Sequence, residues 1–274
     1  MSLKQESAAE DSAAVILNIK KSFAAMGLAR LADEKLYLGT PFSILEMFYK
    51  ALDIQRSEDE KKRFANRMRY AGIVRERTAD TFQWDNDTYP YAENGVIESA
   101  LTIEFVRQHK NLIVVGPPGV GKSMLAVIIA CKALREDFSV KYKTAHDIAV
   151  ELQESKDGNS LSGYIKKIQA CDVLVIEDLT FATFDIRTAQ AFHSVIDGRY
   201  TRKKTTVITS NGNIKEWAQD FPDNRMCTAI LGRFYEDALL VNMNGAEDMR
   251  LKRVKGMLEN TGKGDGKGKD AYLQ

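Results

Sequence analysis

Several things that would assign this chain to a compartment or a partner are scarce or missing. Of its 274 residues three are cysteine, Cys131, Cys171 and Cys227, odd in number and widely spaced. They form no zinc pattern and no disulfide framework, so they are expected to be small buried thiols of a reduced protein. Charge of one sign is missing too: Lys and Arg number 39, Asp and Glu 38, for a formal net charge of +1. No global electrostatic argument for nucleic acid is available, and any such case rests on local patches. No apolar run approaches the roughly 20 residues that span a bilayer. The first fifteen residues are polar and acidic, unlike a secretory signal. A cytoplasmic protein with no membrane partner is expected. No internal repeat occurs at solenoid spacing. What remains, 44% hydrophobic and 28% charged, is ordinary globular composition, long enough for one large or two modest domains.

One octapeptide stands out against this background. Gly116, Pro117, Pro118, Gly119, Val120, Gly121, Lys122 and Ser123 fit G-x-x-x-x-G-K-[ST], a phosphate-binding loop. Its glycines permit a tight turn whose N–H groups converge on one phosphate with no Cβ in the way. The following helix adds unpaired N–H groups and the positive end of its dipole. Lys122 supplies a cation for the outer phosphates, Ser123 a hydroxyl for Mg²⁺, and Met124 shares the same first turn. A strand-like run over 111–115 enters the loop and a helical run over 124–134 leaves it. That context separates a phosphate loop from a chance Gly/Pro turn. ATP and Mg²⁺ are the expected ligands.

Hydrolysis also needs a metal ligand and a group to orient water. Residues 172–178 read as an apolar strand ending in two carboxylates, Glu177 and Asp178. In P-loop ATPases the first carboxylate usually sits near Mg²⁺ and the second polarises water, in the order Asp-Glu. This chain has Glu-Asp. The exchange of side-chain lengths displaces metal or base by about an ångström, enough to slow the chemistry. On this reading Glu177 serves Mg²⁺ and Asp178 orients the attacking water. A later strand over 205–210 closes on Asn211, where nucleotide sites of open α/β sheets lie. Asn211 is expected to hold the water or touch the γ-phosphate, although Ser210 to Asn213 also reads as a plain turn.

The chain organises around this centre. Residues 1–14, small and polar, are expected to be disordered. Residues 15–77 form a helical module. Its first helix is expected over Val15–Leu36, and a break follows at Gly39–Pro41. A second helix carries Ile44, Leu45, Phe48 and Leu52, continues or restarts at Ser57–Glu60, and ends at Gly72. Residues 78–95 are a loop-like joint with Phe82, Trp84, Tyr89 and Tyr91. An amphipathic helix over 96–109 opens the segment 96–256, in which strands at 111–115, 140–144, 173–177, 205–210 and 238–243 alternate with helices. This predicts an α/β P-loop fold with a parallel five-stranded sheet sandwiched by helices. Residues 257–274 read as a flexible Gly/Lys tail.

Taken in order, Gly116–Ser123, Val173–Asp178, Thr209–Asn211 and Leu231–Phe234 resemble an AAA+ ATPase of the initiator and helicase-loader branch. With Val207–Asn211, Glu216, Trp217 and Met249–Arg253 added, the chain is similar to the IstB-like ATPases. These are transposition helpers of insertion sequences and kin of the DnaC and DnaI helicase loaders. The similarity runs from about Thr102 to Lys255, and more loosely over the helical N-terminal part. It implies that Arg233 is an arginine finger reaching a neighbouring subunit's γ-phosphate, hence a homo-oligomer. It also implies an Arg250 near nucleotide or DNA, and no separate helical lid after Met243.

The resemblance gives weight to two basic regions as sequence-independent contacts to duplex DNA. One is Lys61, Lys62, Arg63, Arg67 and Arg69, followed by Arg75 and Arg77; the other is Arg199, Arg202, Lys203 and Lys204. The plainer alternative is a solvated helix face paired with Glu58, Asp59 and Glu60. The partner beyond DNA is a transposase or, on the alternative reading, a replicative helicase loaded onto single strands. A third alternative is a nucleotide switch with little hydrolysis, suggested by the Glu177–Asp178 order.

Overall fold

The computed structural model describes residues 3–81, 88–157, 160–179, 184–212, 217, 221–222, 224–249 and 251. The tail expected over 257–274, Arg250, Glu216, Phe82 and Trp84 lie outside the described residues. The chain divides into two packing units, residues 1–67 and 68–274.

Helix α1 (Leu3–Ala25) begins well ahead of Val15, so helix replaces the disorder expected over 1–14 from residue 3 onward. Lys4, Gln5, Glu6, Ala8 and Ala9 favour helix, and extending a formed helix is far easier than starting one. The helix stops at Ala25 rather than Leu36. The N–H groups of Gly27 and Leu28 donate to the carbonyls of Ala24 and Phe23, a Schellman stop. Two short 3-10 turns, Ala29–Ala32 and Glu34–Leu36, lead to α2 (Phe42–Ala71). This helix passes through Ser57–Glu60 without a restart, spanned by Arg56 to Glu60 at 3.9 Å and Gln55 to Asp59 at 3.0 Å. Ile19, Phe23 and Leu45 are the buried core of the unit. The division falls after Arg67 rather than at the expected Arg77, because Met68, Ala71 and Ile73 are already buried.

The second unit is built on strands β1 (Leu112–Val115), β2 (Val140–Thr144), β3 (Val173–Glu177), β4 (Thr205–Ser210) and β5 (Leu239–Asn242), all parallel, in the order β2-β3-β4-β1-β5. Each matches its expected run to within one residue. Residues of β1, β3 and β4 are buried on both faces, apart from the half-buried terminal Glu177, as a parallel sheet covered by helices requires. One face carries α3 (Val96–Thr102) and α5 (Lys122–Arg135). The other carries α6 (Ala145–Asp157), α7 (Leu161–Ala170), α8 (Ile186–Thr201) and α9 (Asn224–Tyr235). Alternation sends Ile113, Leu174, Ile176 and Ile208 into the core beneath this second set. The helix expected over 96–109 breaks at Ile103, where φ is 57°, and continues as α4 (Glu104–Arg107). The kink buries Ile103, Phe105 and Val106 together, which offsets the backbone strain. The three cysteines are buried, as expected. Among the described residues no helix is long and apolar enough to cross a membrane.

Candidate nucleotide site

β1 ends at Val115 and the chain turns at once through the glycine-rich loop into α5. Gly119 and Gly121 take φ of 83° and 104°, values that L side chains rarely adopt. Gly121 is the N-cap of α5 and no side chain caps the helix, so the first-turn N–H groups are left to a ligand. The loop, Asp178 and Asn211 enclose a cavity of about 360 Å³, lined by Pro118, Gly119, Gly121, Lys122, Ser123, Met124, Asp178 and Asn211. Gly116, Pro117 and Val120 complete the loop around it. A left-handed glycine turn, an uncapped helix start and a buried lysine at one concavity fit a phosphate chain and its metal.

Lys122 is buried, and its ammonium donates to the Gly116 and Pro117 carbonyls at 2.8 Å each and to Asn211 Oδ1 at 2.6 Å. Asn211 Nδ2 in turn reaches Asp178 Oδ1 at 3.4 Å. The sheet order explains the meeting: β1 lies beside β4, and β4 beside β3, so their C-terminal ends carry Lys122, Asn211 and Asp178 to one place. Asp178 takes φ 53° and its N–H donates to Thr209 Oγ1 at 3.1 Å, which fixes the turn after β3. Burial, then the charge of Glu177, raise the Asp178 carboxyl above its ordinary value, and Lys122 opposes them. Trp217, fully buried, donates Nε1–H to Ser210 Oγ at 2.7 Å, and Ser210 donates to the Gly212 carbonyl, so the turn bearing Asn211 is tied at both sides.

Glu177 goes elsewhere. Its carboxylate accepts from the Tyr142 hydroxyl at 2.9 Å and does not line the cavity. The Glu-Asp order therefore puts the shorter second carboxylate beside Lys122 and Asn211, and turns the longer first one toward β2. Sequence patterns do not reveal Tyr142, nor the contacts that Thr209 and two further supports of the loop make. Tyr89, fully buried, donates to the Val120 carbonyl at 2.9 Å. Met249 N–H donates to the Gly119 carbonyl at 3.0 Å, and a Cβ on Gly119 would overlap the Asp248 carboxylate. The only signal for Tyr89 is the aromatic richness of the 78–95 segment.

The family described as IstB-like ATP binding protein matches residues 23–256. The chain belongs to this IstB-like ATP-binding family. An insertion sequence IS5376 putative ATP-binding protein of Geobacillus stearothermophilus is 26% identical, over 78% of this chain and 83% of that one. The insertion sequence IS21 putative ATP-binding protein of Pseudomonas aeruginosa is also 26% identical, over 77% and 78%. Among solved structures, AMPPCP-bound DnaA from Aquifex aeolicus superposes with a TM-score of 0.53 at 21% identity, covering 67% of this chain and 54% of that one. DnaI superposes at 0.51 with 19% identity, covering 61% and 90%. These likenesses show the P-loop AAA+ fold. The chain spans little more than half of that AMPPCP-bound DnaA chain.

Arg233 and the second basic region of this IstB-like chain do not line the cavity. Arg233, on α9, is half exposed; it pairs with Asp197 at 3.2 Å and stacks over the Tyr200 ring at 4.5 Å. Its carbonyl accepts from Asn111 Nδ2 at 3.1 Å. Asn111 precedes β1 while the loop follows it, so Arg233 stands at the opposite end of the sheet from its own Lys122. Of the second basic region, Arg199 is not a surface cation. It is 1% exposed and donates to the Ile168, Cys171 and Thr205 carbonyls and to Thr206 Oγ1. Lys204 pairs with Asp172 at 2.6 Å, Arg202 donates to the Gly198 carbonyl, and Lys203 is exposed at the left-handed end of α8. In the first region Lys61, Lys62, Arg63 and Arg69 are exposed and Arg67 is half-buried; Arg69 also lies 5.4 Å from the Tyr70 ring centre. Asp59 accepts from Gln55, and Glu60 pairs with Arg56 at 3.9 Å.

Proposed function

We propose that this chain hydrolyses ATP with Mg²⁺ while assembled on duplex DNA, as the helper ATPase of an insertion-sequence transposition system. The observation that carries this reading is the convergence of Lys122, Asn211 and Asp178 on one cavity at the glycine loop. Loop amides and the α5 N-terminus bind the phosphates. Lys122 exchanges the Gly116 and Pro117 carbonyls and Asn211 for phosphate oxygens, so a charged ligand replaces three internal acceptors. Ser123 and a carboxylate at the end of β3 would hold Mg²⁺, which neutralises phosphate charge when bound. We assign the metal to Glu177, once it leaves Tyr142. Asp178, next to Asn211, orients the water; its raised carboxyl suits a group that shares a proton with that water. Arg233, at the far end of the sheet, acts on a neighbouring subunit's γ-phosphate.

The DNA component rests on the exposed Lys61, Lys62, Arg63 and Arg69 and on the relatives, which are proteins of insertion sequences. Such a basic segment neutralises phosphates without reading bases.

Two measurements test the reading. Asp178→Asn should keep affinity for a slowly hydrolysed ATP analogue within about twofold and lower turnover about a hundredfold; undiminished turnover removes Asp178 from the chemistry. Electron microscopy with that analogue should show oligomers on duplex DNA. Binding confined to single strands and a helicase ring would replace the transposition reading with helicase loading.

A further inference from the structure

Two helices meet at the end of the sheet away from the glycine loop, and both send polar side chains to one arginine. Asp197 and Tyr200 stand three residues apart on α8, hence on one face of it, while Arg199 between them turns inward and is buried. Arg233 and Glu236 have the same spacing at the end of α9, where the Glu236 N–H still donates to the Gly232 carbonyl at 3.1 Å. The two pairs interlock. Arg233 Nε donates to Asp197 Oδ1 at 3.2 Å, and the guanidinium carbon lies 4.5 Å from the centre of the Tyr200 ring. The Tyr200 hydroxyl donates to Glu236 Oε2 at 2.7 Å. That bond raises the hydroxyl above its ordinary value, so it stays protonated and the ring stays tethered.

The main chain beneath Arg233 is fixed as well. Asn111, the residue before β1, donates from Nδ2 to the Arg233 and Phe234 carbonyls at 3.1 and 3.2 Å. Its Oδ1 accepts the Thr206 N–H at 2.9 Å. Carbonyls at a helix end lack intrahelical partners, and here one side chain supplies them and bolts α9 to β1 and β4.

The side-chain ties exceed what folding needs. Arg233 and Asp197 are 42% and 44% exposed, and an exposed ion pair adds little stability while freezing a long side chain. Their effect is to select one end of the guanidinium. With Nε on Asp197 and one face on Tyr200, the fork of the two Nη groups remains. Among the described residues no hydrogen bond or ion pair occupies it. Such a fork matches two oxygens of one phosphate.

We propose that Asp197 and Tyr200 are positioning residues that hold Arg233 so that its Nη fork meets the γ-phosphate bound by a neighbouring copy of the chain. Glu236 sets the Tyr200 ring, and Asn111 sets the turn beneath. The inference rests on the assignment of Arg233 to a neighbour's phosphate. The arginine is ordered before the neighbour arrives, so the cost of ordering it does not fall on the contact.

The test uses the full-length protein with duplex DNA, and compares the wild type with Tyr200→Leu, which loses the ring, and Tyr200→Trp, which restores a face. Turnover is followed by a coupled phosphate assay. Assembly driven by a non-hydrolysed ATP analogue and Mg²⁺ is followed by sedimentation. Tyr200→Leu should lower kcat about tenfold, with analogue affinity within about twofold of the wild type. It should also raise the protein concentration at which the analogue drives assembly about tenfold. Tyr200→Trp should recover most of both losses. In an Arg233→Ala background, Tyr200→Leu should add no further loss. Mixing Tyr200→Leu with Lys122→Ala subunits, which keep the cradle, should raise the turnover of each Tyr200→Leu subunit.

Wild-type turnover and assembly in Tyr200→Leu overturn the proposal. So does a loss that persists in full on mixing or in the Arg233→Ala background, since Tyr200 would then be acting on the fold rather than on the arginine. If Arg233→Ala itself turns over and assembles like the wild type, the assignment of Arg233 falls and the proposal falls with it. A wild type that assembles with the analogue but never hydrolyses ATP sinks the ATPase reading alone; the assembly comparison still decides the role of Tyr200.

Discussion

Lys122 and Arg199 are cations buried in the same sheet at its two ends. Lys122 is 5% exposed and Arg199 1%. Both are held by main-chain carbonyls, yet their settings differ. Arg199 fills a closed niche where α7 and α8 meet the starts of β3 and β4, and its partners have no substitute there. Lys122 borders a cavity, and its acceptors belong to the loop that would wrap a phosphate. A buried charge alone thus says nothing about function. What marks a site is that the charge can exchange its protein partners for a ligand's.

The contrast can be broken most severely through a third cation. If Arg233 serves a neighbour, Arg233→Ala should lower turnover about a thousandfold at unchanged nucleotide affinity. Mixing it with Lys122→Ala subunits, which keep the finger, should restore part of the activity in a coupled phosphate assay. No recovery on mixing would count against action in trans. Next is Arg199→Met, which strands several buried carbonyls and should cost about 3 kcal/mol or more in urea unfolding. The surviving folded protein should bind ATP normally. Lys122→Ala should do the reverse. Nucleotide affinity falls about a hundredfold by calorimetry, while stability moves by less than about 1 kcal/mol because water can reach the loop carbonyls. Similar unfolding curves for the two variants would erase the distinction drawn between them.

The smallest effect is a pH dependence at the Arg199 end. Burial alone would raise the Asp172 carboxyl, but hydrogen bonds from Lys204 and Ser139 outweigh it and hold the group at about 2, against an ordinary 3.8. A carboxylate held below its unfolded value stabilises the fold above about pH 4, and the contribution disappears as pH falls toward about 2. Asp172→Asn should remove that acid limb, by under about 1 kcal/mol since the pair is a third exposed. Parallel urea midpoints for the two proteins at pH 5 and pH 3 would show no such limb.

The strands and the phosphate loop are legible because their signals are local. A continuous apolar run needs no knowledge of its neighbours: residues 112–115 and 173–176 are buried on both faces and read directly as such segments. Phosphate recognition likewise uses contiguous main chain and one lysine. What escapes depends on register. Tyr142 meets Glu177, and Thr209 meets Asp178, only because β2, β3 and β4 lie side by side. Composition groups Arg199 with surface lysines, although Phe192, Val195, Ile196 and Arg199 share one helical stripe, three of them apolar and all buried. The spacing is the clue; the charge of the side chain masks it. The early start of α1 has no apolar period to announce it, only residues that extend helix cheaply.

The placement of Arg233 beyond the start of β1, with Lys122 beyond its end, has a consequence for symmetry. Any contact that brings one molecule's Arg233 to another's glycine loop joins two different patches. Such a head-to-tail union cannot be completed by a two-fold axis; it leaves an unused patch on each outer molecule. Growth then stops only by closing a ring, or continues as a helix whose pitch could follow a double-helical track.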